Sequence, residues 1–174
     1  MHSRNRTLRA VAALLAVSGL ILAACGGGEK TYDAGTPAAT GQAPDCSIVP
    51  LDLVRKSLGF EKLEGPIAEP KTVGQGWVCT FSHPGAGVES VEQVQFTGNA
   101  TEEDLSLVRD RYEASNNEVN KITGWGDQAL ATSVYFFTTS NNFYVRKGKV
   151  MVHITSTAEY DNIKKLMKEI LEKI

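Results

Sequence analysis

The apolar run at residues 10–24 constrains this chain more than any other feature, because it decides in which compartment the remainder folds. Three arginines and no acidic residue precede the run, and only Ser18 and Gly19 interrupt it. A basic start followed by a short apolar stretch is typical of a secretory signal. A membrane-spanning helix needs about 20 apolar residues, and this run is shorter. The pattern therefore predicts export, with residues 1–24 as a signal peptide.

The signal ends in Leu22-Ala-Ala-Cys25-Gly, which resembles a bacterial lipobox. That resemblance implies that the Cys25 thiol accepts a diacylglycerol and becomes the mature N-terminus after cleavage. The alternative is an ordinary secretory signal in which the cysteine occurs by chance. Because two or more fatty chains give stable anchoring where one does not, acylated Cys25 is expected to hold the protein at the outer face of the cell membrane.

The segment after Cys25 has the composition of a linker. Residues 26–44 are rich in Gly, Ala, Thr and Pro and show no hydrophobic period, so they cannot bury enough apolar surface to fold. A flexible coil of that length reaches about 25 Å. Residues 25–44 are thus predicted to be a lipidated cysteine and a tether, and residues 45–174 a single domain of the usual size.

The charge of the mature chain narrows the class of partner. Loss of residues 1–24 reduces Lys+Arg from 18 to 15 against 20 Asp+Glu, which leaves a net charge of −5. Nucleic acids and anionic lipid surfaces are bound through basic patches. We therefore expect no nucleic acid partner, and membrane attachment through the covalent lipid alone.

Two cysteines remain after Cys25 is assigned to lipid. In an oxidising compartment Cys46 and Cys79 are expected to form a structural disulfide. A metal site is the alternative, and the absence of CxxC spacing disfavours it. No cofactor or metal is expected.

Hydrophobic periodicity predicts an α+β domain. Helices are expected at residues 50–58, 101–115 and 158–172; strands at 77–82, 88–96, 118–122, 133–138, 143–147 and 149–155; a loop at 61–75; and tight turns at Asn141-Asn142 and Lys147-Gly148. Strand runs joined by short turns favour a mainly antiparallel sheet with helices packed on it. The expected order is α-β-β-α-(β)-β-β-β-α, with a similar helix-then-strands unit in each half.

Local signals mark the ends and faces of these elements. Gly59 suits the position after the first helix, and Thr101 to Asp104 resembles a capping box at the start of the second. Alternation predicts that the strands point these side chains inward: Trp77, Cys79, Phe81, Val94 and Phe96. The last helix is expected to carry an apolar stripe of Ile163, Leu166, Met167, Ile170 and Leu171.

Several short motifs resemble those of a known group of proteins. These are the lipobox, the tether, a cysteine before the first helix, a Trp77-Val-Cys79 strand, and Gly124-Trp-Gly-Asp127 ahead of a β-meander. Together they resemble small actinobacterial lipoproteins of unknown function, which are similar to the extracellular sensor domains of mycobacterial receptor kinases. The resemblance implies an α+β sandwich with a cleft, a location in the cell envelope, and no catalytic residues to carry over.

A candidate ligand cleft follows from the most distinctive of these motifs. The structural interpretation of Gly124–Asp127 is a tight turn in which Trp125 packs and Asp127 bonds nearby amides. The functional interpretation makes Trp125 and Asp127 an aromatic plate and an acceptor for a sugar or a peptide. Further aromatic and titratable side chains, if exposed with them, would complete the cleft: Tyr135, Tyr144 and His153, with Phe137 on the same strand pattern as the tyrosines.

The sequence favours binding over catalysis. The mature chain has two histidines, His83 in a predicted turn and His153 on a predicted strand, and no GxSxG, HExxH or P-loop motif. A histidine without a partner does not make a mechanism. The first hypothesis is therefore a non-catalytic ligand-binding or sensing module. The second is an accessory or inhibitory protein that engages another envelope protein, and the third is an unfamiliar hydrolase that uses His153 or Asp127.

Overall fold

Three α-helices and a seven-stranded antiparallel sheet make up the described part of this α+β domain. The computed structural model describes residues 41–72, 74–84, 91–135 and 138–174. A short 3₁₀ turn, Cys46–Ile48, comes first. The helices are α1 (Leu51–Leu58), α2 (Glu102–Ala114) and α3 (Tyr160–Leu171), and the strands are β1 (Glu64–Pro70), β2 (Gln75–Ser82), β3 (Val91–Gly98), β4 (Val119–Ile122), β5 (Gln128–Tyr135), β6 (Thr139–Lys147) and β7 (Val150–Ser156).

Two meanders form the sheet, whose strand order is β1-β2-β3-β7-β6-β5-β4. The first meander is β1 to β3, the second is β4 to β7, and the antiparallel pair β3–β7 joins them at the centre. This non-local pair fixes which side chains of the two meanders become neighbours.

One face of the sheet carries the main hydrophobic core together with α1 and α3. The alternating side chains predicted to point inward from β2 and β3 are buried there, including Cys79, Phe81 and Phe96. The predicted apolar stripe of α3 is fully buried against them: Ile163, Leu166, Met167, Ile170 and Leu171 are each 0% exposed. Burying side chains of this size stabilises the fold by about 1.5–3 kcal/mol each.

The helix ends follow the sequence signals. Gly59 takes a left-handed φ of 81° after α1, as expected of a glycine at that position. Thr101 and Asp104 form a capping box at the start of α2. These local predictions are confirmed.

The opposite face of the sheet is only partly covered by a helix. Within the described residues, α2 packs on β4, β5 and β6. A smaller apolar cluster lies beneath α2 and includes Leu105, Leu130, Tyr144 and Met151. The polar remainder of this face belongs to β2, β3 and β7.

Three sequence predictions are wrong: the loop at residues 61–75, the turn at Asn141-Asn142, and the strand at residues 133–138, which forms instead as β5 over Gln128–Tyr135. The observed order is therefore α-β-β-β-α-β-β-β-β-α. Residues 61–75 are not all loop, because they contain β1, an exposed strand at the edge of the sheet. An edge strand tolerates Pro66 and Pro70, since not all of its N–H groups are needed for pairing. Asn141-Asn142 is not a turn, because both residues lie inside β6, where the Asn141 amide donates to the Ala158 carbonyl at 2.9 Å. The β5–β6 connection instead follows Tyr135, which pairs with Thr139.

The predicted disulfide between Cys46 and Cys79 is confirmed. It joins the turn before α1 to β2, with the two Cα atoms 5.6 Å apart, and both cysteines are buried. The signal peptide, Cys25 and most of the tether lie outside the described residues, as do Phe137 and residues 85–87 of the predicted turn that begins at His83. Among the helices that the structure describes, none is both long and apolar enough to cross a membrane.

Candidate functional site

The strongest candidate site is a set of polar side chains on the sheet face opposite α1 and α3. Cross-strand register aligns these side chains in two adjacent rows. The first row runs through Thr80, Gln93, Thr155 and Asn142, and the second through Val78, Gln95, His153 and Tyr144. We call these two rows, with the flanking Thr97 and Lys71, the polar face. Most of its members are half-buried, as expected of side chains that stand on a sheet without a second layer above them.

Hydrogen bonds hold the β2–β3 part of the polar face in place. The Gln95 amide donates to Gln93 Oε1 at 3.3 Å, and the Gln93 amide donates to Thr80 Oγ1 at 3.4 Å. This chain of amides spans two strands. Because an amide carries both donors and an acceptor, each link leaves further hydrogen-bonding capacity available.

A second network occupies the β6–β7 part of the polar face. His153 Nε2 lies 3.0 Å from Asn142 Oδ1 and 2.9 Å from Thr155 Oγ1, and the Thr155 hydroxyl donates to Asn142 Oδ1 at 3.0 Å. Since Asn142 Oδ1 can only accept, the geometry fits a neutral imidazole that carries its proton on Nε2. This network therefore fixes the orientation of the ring.

Two tyrosines support the His153 ring from the helix-covered side. The Tyr144 ring stacks on His153 with centroids 3.8 Å apart and an interplanar angle of 8°. The Tyr144 hydroxyl lies 3.0 Å from that of Tyr112 on α2. Burial, followed by the Tyr112 hydrogen bond, raises the pKa of Tyr144, so its hydroxyl stays protonated. The aromatic pair links the polar face to the cluster beneath α2.

One amine borders the polar face. Lys71, from the connection between β1 and β2, donates to Thr97 Oγ1 at 2.7 Å. Burial lowers the pKa of Lys71.

Thr132 lies on β5, beyond the Asn142 end of the first row. Its hydroxyl is buried and has no hydrogen-bond partner among the described residues.

Acidification is expected to destabilise the fold through His153. Burial, with a smaller contribution from Lys71, lowers the pKa of His153 to about 3 from an ordinary 6.5. The unfolded chain therefore binds a proton as pH falls below 6.5, whereas the folded chain does not do so until pH approaches 3. Stability attributable to neutral His153 is complete above pH 6.5 and is lost progressively below it, by about 2 kcal/mol at pH 5.

Urea unfolding at pH 7.5 and pH 5.0 measures this effect. In a His153→Gln variant, which retains a donor toward Asn142, the difference in unfolding free energy between the two pH values is expected to shrink by about 2 kcal/mol. Equal pH dependence in the variant and the wild type would contradict the burial argument.

The five residues of the sequence-predicted cleft do not converge on one site. Tyr144 and His153 lie together on the polar face, whereas Trp125 packs edge-to-face on Phe143 at 5.3 Å, on the side of the main core. Tyr135 is 78% exposed at the end of β5. The second histidine of the mature chain, His83, lies outside this set: it follows β2 and bonds the buried Glu92 carboxylate at 3.0 Å.

Asp127 closes the Gly124–Asp127 turn onto the β6–β7 connection. Its carboxylate accepts from the Gly148 N–H at 2.8 Å and lies 3.1 Å from the Arg146 guanidinium. Gly126 has a φ of 55°, and a Cβ added there would lie 2.3 Å from the Arg146 carbonyl oxygen. These contacts favour the structural interpretation of the motif.

Sequence reasoning did not single out most of the polar face. It missed Lys71, Thr80, Gln93, Gln95, Thr97, Asn142 and Thr155. A signal was present in β3, where Gln93, Gln95 and Thr97 alternate with the apolar Val94 and Phe96. That alternation indicates a polar face, but the neighbours on β2 and β7 follow only from the register of the folded sheet.

Two of the cavities lined by described residues lie away from the polar face. One, of about 280 Å³, lies between α2 and the strands β4 and β5, and is lined by apolar side chains together with Arg109 and Lys121. Another, of about 550 Å³, is an open recess beside Trp77, Ile48 and Ile174. Within the described ranges, no group of three or more His, Cys, Asp or Glu side chains is arranged to hold a metal ion.

Comparison of this chain with protein-family models, with curated proteins and with solved structures found no match.

Proposed function

We propose that this protein is a lipoprotein of the cell envelope, anchored through acylated Cys25, whose domain binds a ligand without transforming it. The observation that carries this proposal is the polar face, on which two rows of hydrogen-bonding side chains are aligned across strands β2, β3, β7 and β6. Binding sites place a few oriented polar groups where a ligand can reach them, and rigid elements hold such groups more accurately than loops do.

The state of His153 supports binding rather than proton transfer. Its Nε2 is engaged by Asn142 and Thr155, and its pKa of about 3 keeps the ring neutral at the pH of the cell exterior. A general base works best when its pKa lies near the operating pH. In this arrangement His153 orients its neighbours and offers a neutral polar surface.

The proposed anchor gives this binding a location. The domain begins at the end of the tether, and the Cys46–Cys79 disulfide fastens its first turn to β2. A reach of about 25 Å would keep the domain close to the membrane surface. The expected ligand is therefore a component of the envelope, and the net charge of −5 expected of the mature chain disfavours nucleic acid.

A thermal-shift experiment tests the proposal. The full-length protein, purified from membranes in detergent, is titrated with fractionated envelope extract containing glycans, lipids and peptides. At least one fraction is expected to raise Tm by several degrees, because a ligand that binds only the folded state stabilises it. Gln95→Leu is expected to abolish the rise.

Gln75→Leu provides the matched control, since Gln75 is an exposed glutamine on the same sheet that belongs to neither row. The control variant is expected to retain the full shift. The proposal fails if no fraction raises Tm, or if the two variants respond alike.

A second candidate function, engagement of another envelope protein, is favoured by β1. This strand lies at the edge of the sheet and exposes 60% of Ile67. An exposed edge offers unpaired backbone groups to an incoming strand. A photo-crosslinking residue at Ile67 that captures one stoichiometric protein in cells, with no Tm response to envelope extract, would favour this candidate over the first.

A further inference from the structure

We propose that the polar face binds a neutral oligosaccharide laid across strands β2, β3 and β7. This inference deepens the proposed function and rests on it. It concerns the class of ligand, and it is drawn from the kinds of groups on the face, their spacing and their charge.

The hydrogen-bonding groups of the polar face match the hydroxyls of a sugar. Thr80, Thr97 and Thr155 carry hydroxyls, and Gln93 and Gln95 carry amides, so each group can both donate and accept. Sugar hydroxyls have the same dual character. A carboxylate or phosphate ligand would require donors alone, and an apolar ligand would cover the remaining donors and acceptors of these half-buried groups without pairing them, which opposes binding.

The spacing of the rows suits a chain of rings. Adjacent strands are about 4.8 Å apart, which is comparable to the length of one pyranose unit. In the second row, Gln95 stands between Val78 on β2 and His153 on β7. A ring placed over Gln95 could therefore set its hydroxyls on the amide and its C–H surfaces on Val78 and the imidazole.

Charge on the polar face argues against a strongly anionic ligand. Both rows consist of uncharged side chains, because burial keeps His153 neutral while its Nε2 is engaged by Asn142 and Thr155. Lys71 lies at the border, with its amine directed to Thr97 Oγ1. Recognition of phosphate groups relies on clusters of Arg or on several Lys, and the rows contain neither.

An extended peptide fits the face less well than a saccharide does. Peptides are commonly bound by adding a strand at a sheet edge or by placing apolar anchors in a groove. The polar face lies on the broad surface of the sheet, where β2, β3 and β7 already pair on both sides. Hydrogen bonds must therefore come from side chains, as saccharide recognition requires.

The side chains are also partly preorganised. The Gln95–Gln93–Thr80 chain and the His153–Thr155–Asn142 network restrict rotamers before any ligand arrives. Ordering a free glutamine side chain on binding costs conformational entropy, and preorganisation reduces this cost.

Isothermal titration of the full-length protein in detergent tests the inference. The probes are defined linear oligosaccharides of two to six neutral hexose, pentose or N-acetylhexosamine units, with an acidic hexapeptide and anionic phospholipid vesicles as competing classes. At least one neutral series is expected to bind and to tighten with length up to the span of the rows. Gln95→Leu and Thr80→Val are each expected to weaken binding about tenfold, the effect of removing one well-placed hydrogen bond.

The control is again Gln75→Leu, which is expected to change affinity less than twofold. Thermal unfolding of each variant separates loss of a contact from loss of the fold, and Thr80→Val keeps the shape of its side chain. Absence of binding by every neutral series would overturn the inference, as would binding that both row variants leave unchanged. If envelope extract still raises Tm in a Gln95-dependent way while no saccharide binds, this inference fails and the proposed function stands.

Discussion

Replacing Cys46 and Cys79 together by alanine is expected to lower the free energy of unfolding by about 4 kcal/mol. The bridge closes a loop of 33 residues, and the chain-entropy treatment assigns a loop of that length roughly this much stabilisation. Single domains are stable by only about 5–15 kcal/mol, so the loss is a large share of the total. Changing both residues avoids leaving one buried, unpaired thiol. Urea unfolding without reductant measures the difference.

A reductant provides the control for this prediction. Wild-type protein unfolded in excess dithiothreitol is expected to approach the stability of the double variant, whereas the double variant itself should not respond. A double variant that unfolds within about 0.5 kcal/mol of the oxidised wild type would show that the bridge contributes little.

Replacing Cys25 by serine is expected to abolish lipid attachment completely. The thiol is the proposed nucleophile for diacylglycerol transfer, and a serine hydroxyl at that position does not substitute for a thiolate. Incorporation of an alkyne-tagged fatty acid into the protein in cells measures attachment. Labelling is expected to fall from full incorporation to background.

The Cys46/Cys79 double variant is the matched control, because it removes two cysteines and leaves Cys25 in place. It is expected to label as the wild type does. Labelling that persists after Cys25→Ser would place the lipid on another residue, and a wild type that does not label would show that Cys25 is an ordinary residue of the leader.

Local signals in the sequence were sufficient for the helices and the central strands. The spacing of Ile163, Met167 and Ile170 identified α3, and Gly59 marked the end of α1. Trp77, Cys79 and Phe81 occupy alternate positions of β2, so the two-residue period alone predicts which of its side chains face the core. These features depend on neighbours within one helix or strand, so the packing of the rest of the domain does not change them.

The mistaken predictions arose where tertiary structure overrides a local signal. Pro66 and Pro70 disfavour a strand in general, yet they are tolerated in β1 because it lies at the edge of the sheet. Asn141 and Asn142 favour a turn in isolation, but inside β6 their amides bond Ala158 and Ser140 carbonyls, respectively. Neither context is visible in a short window of sequence.

The candidate site depended still more on non-local structure. Tyr144 and His153 were identified as candidates one at a time, but their stacking and their alignment with Gln95 require the pairing of β3 with β7 and of β7 with β6. Register between strands that are distant in sequence is set by the whole core. Trp125 shows the opposite case. The Gly124–Asp127 motif is distinctive in the sequence, but its tryptophan packs on Phe143 on the side of the main core and not in the candidate site.

The intact mass of the protein extracted from the membranes of its own cells tests the anchoring most directly. The expected mass is that of a chain beginning at Cys25, carrying diacylglycerol and one disulfide. A mass that retains residues 1–24, or a mature chain without acyl groups, would contradict membrane attachment and remove the basis for a binding role at the envelope.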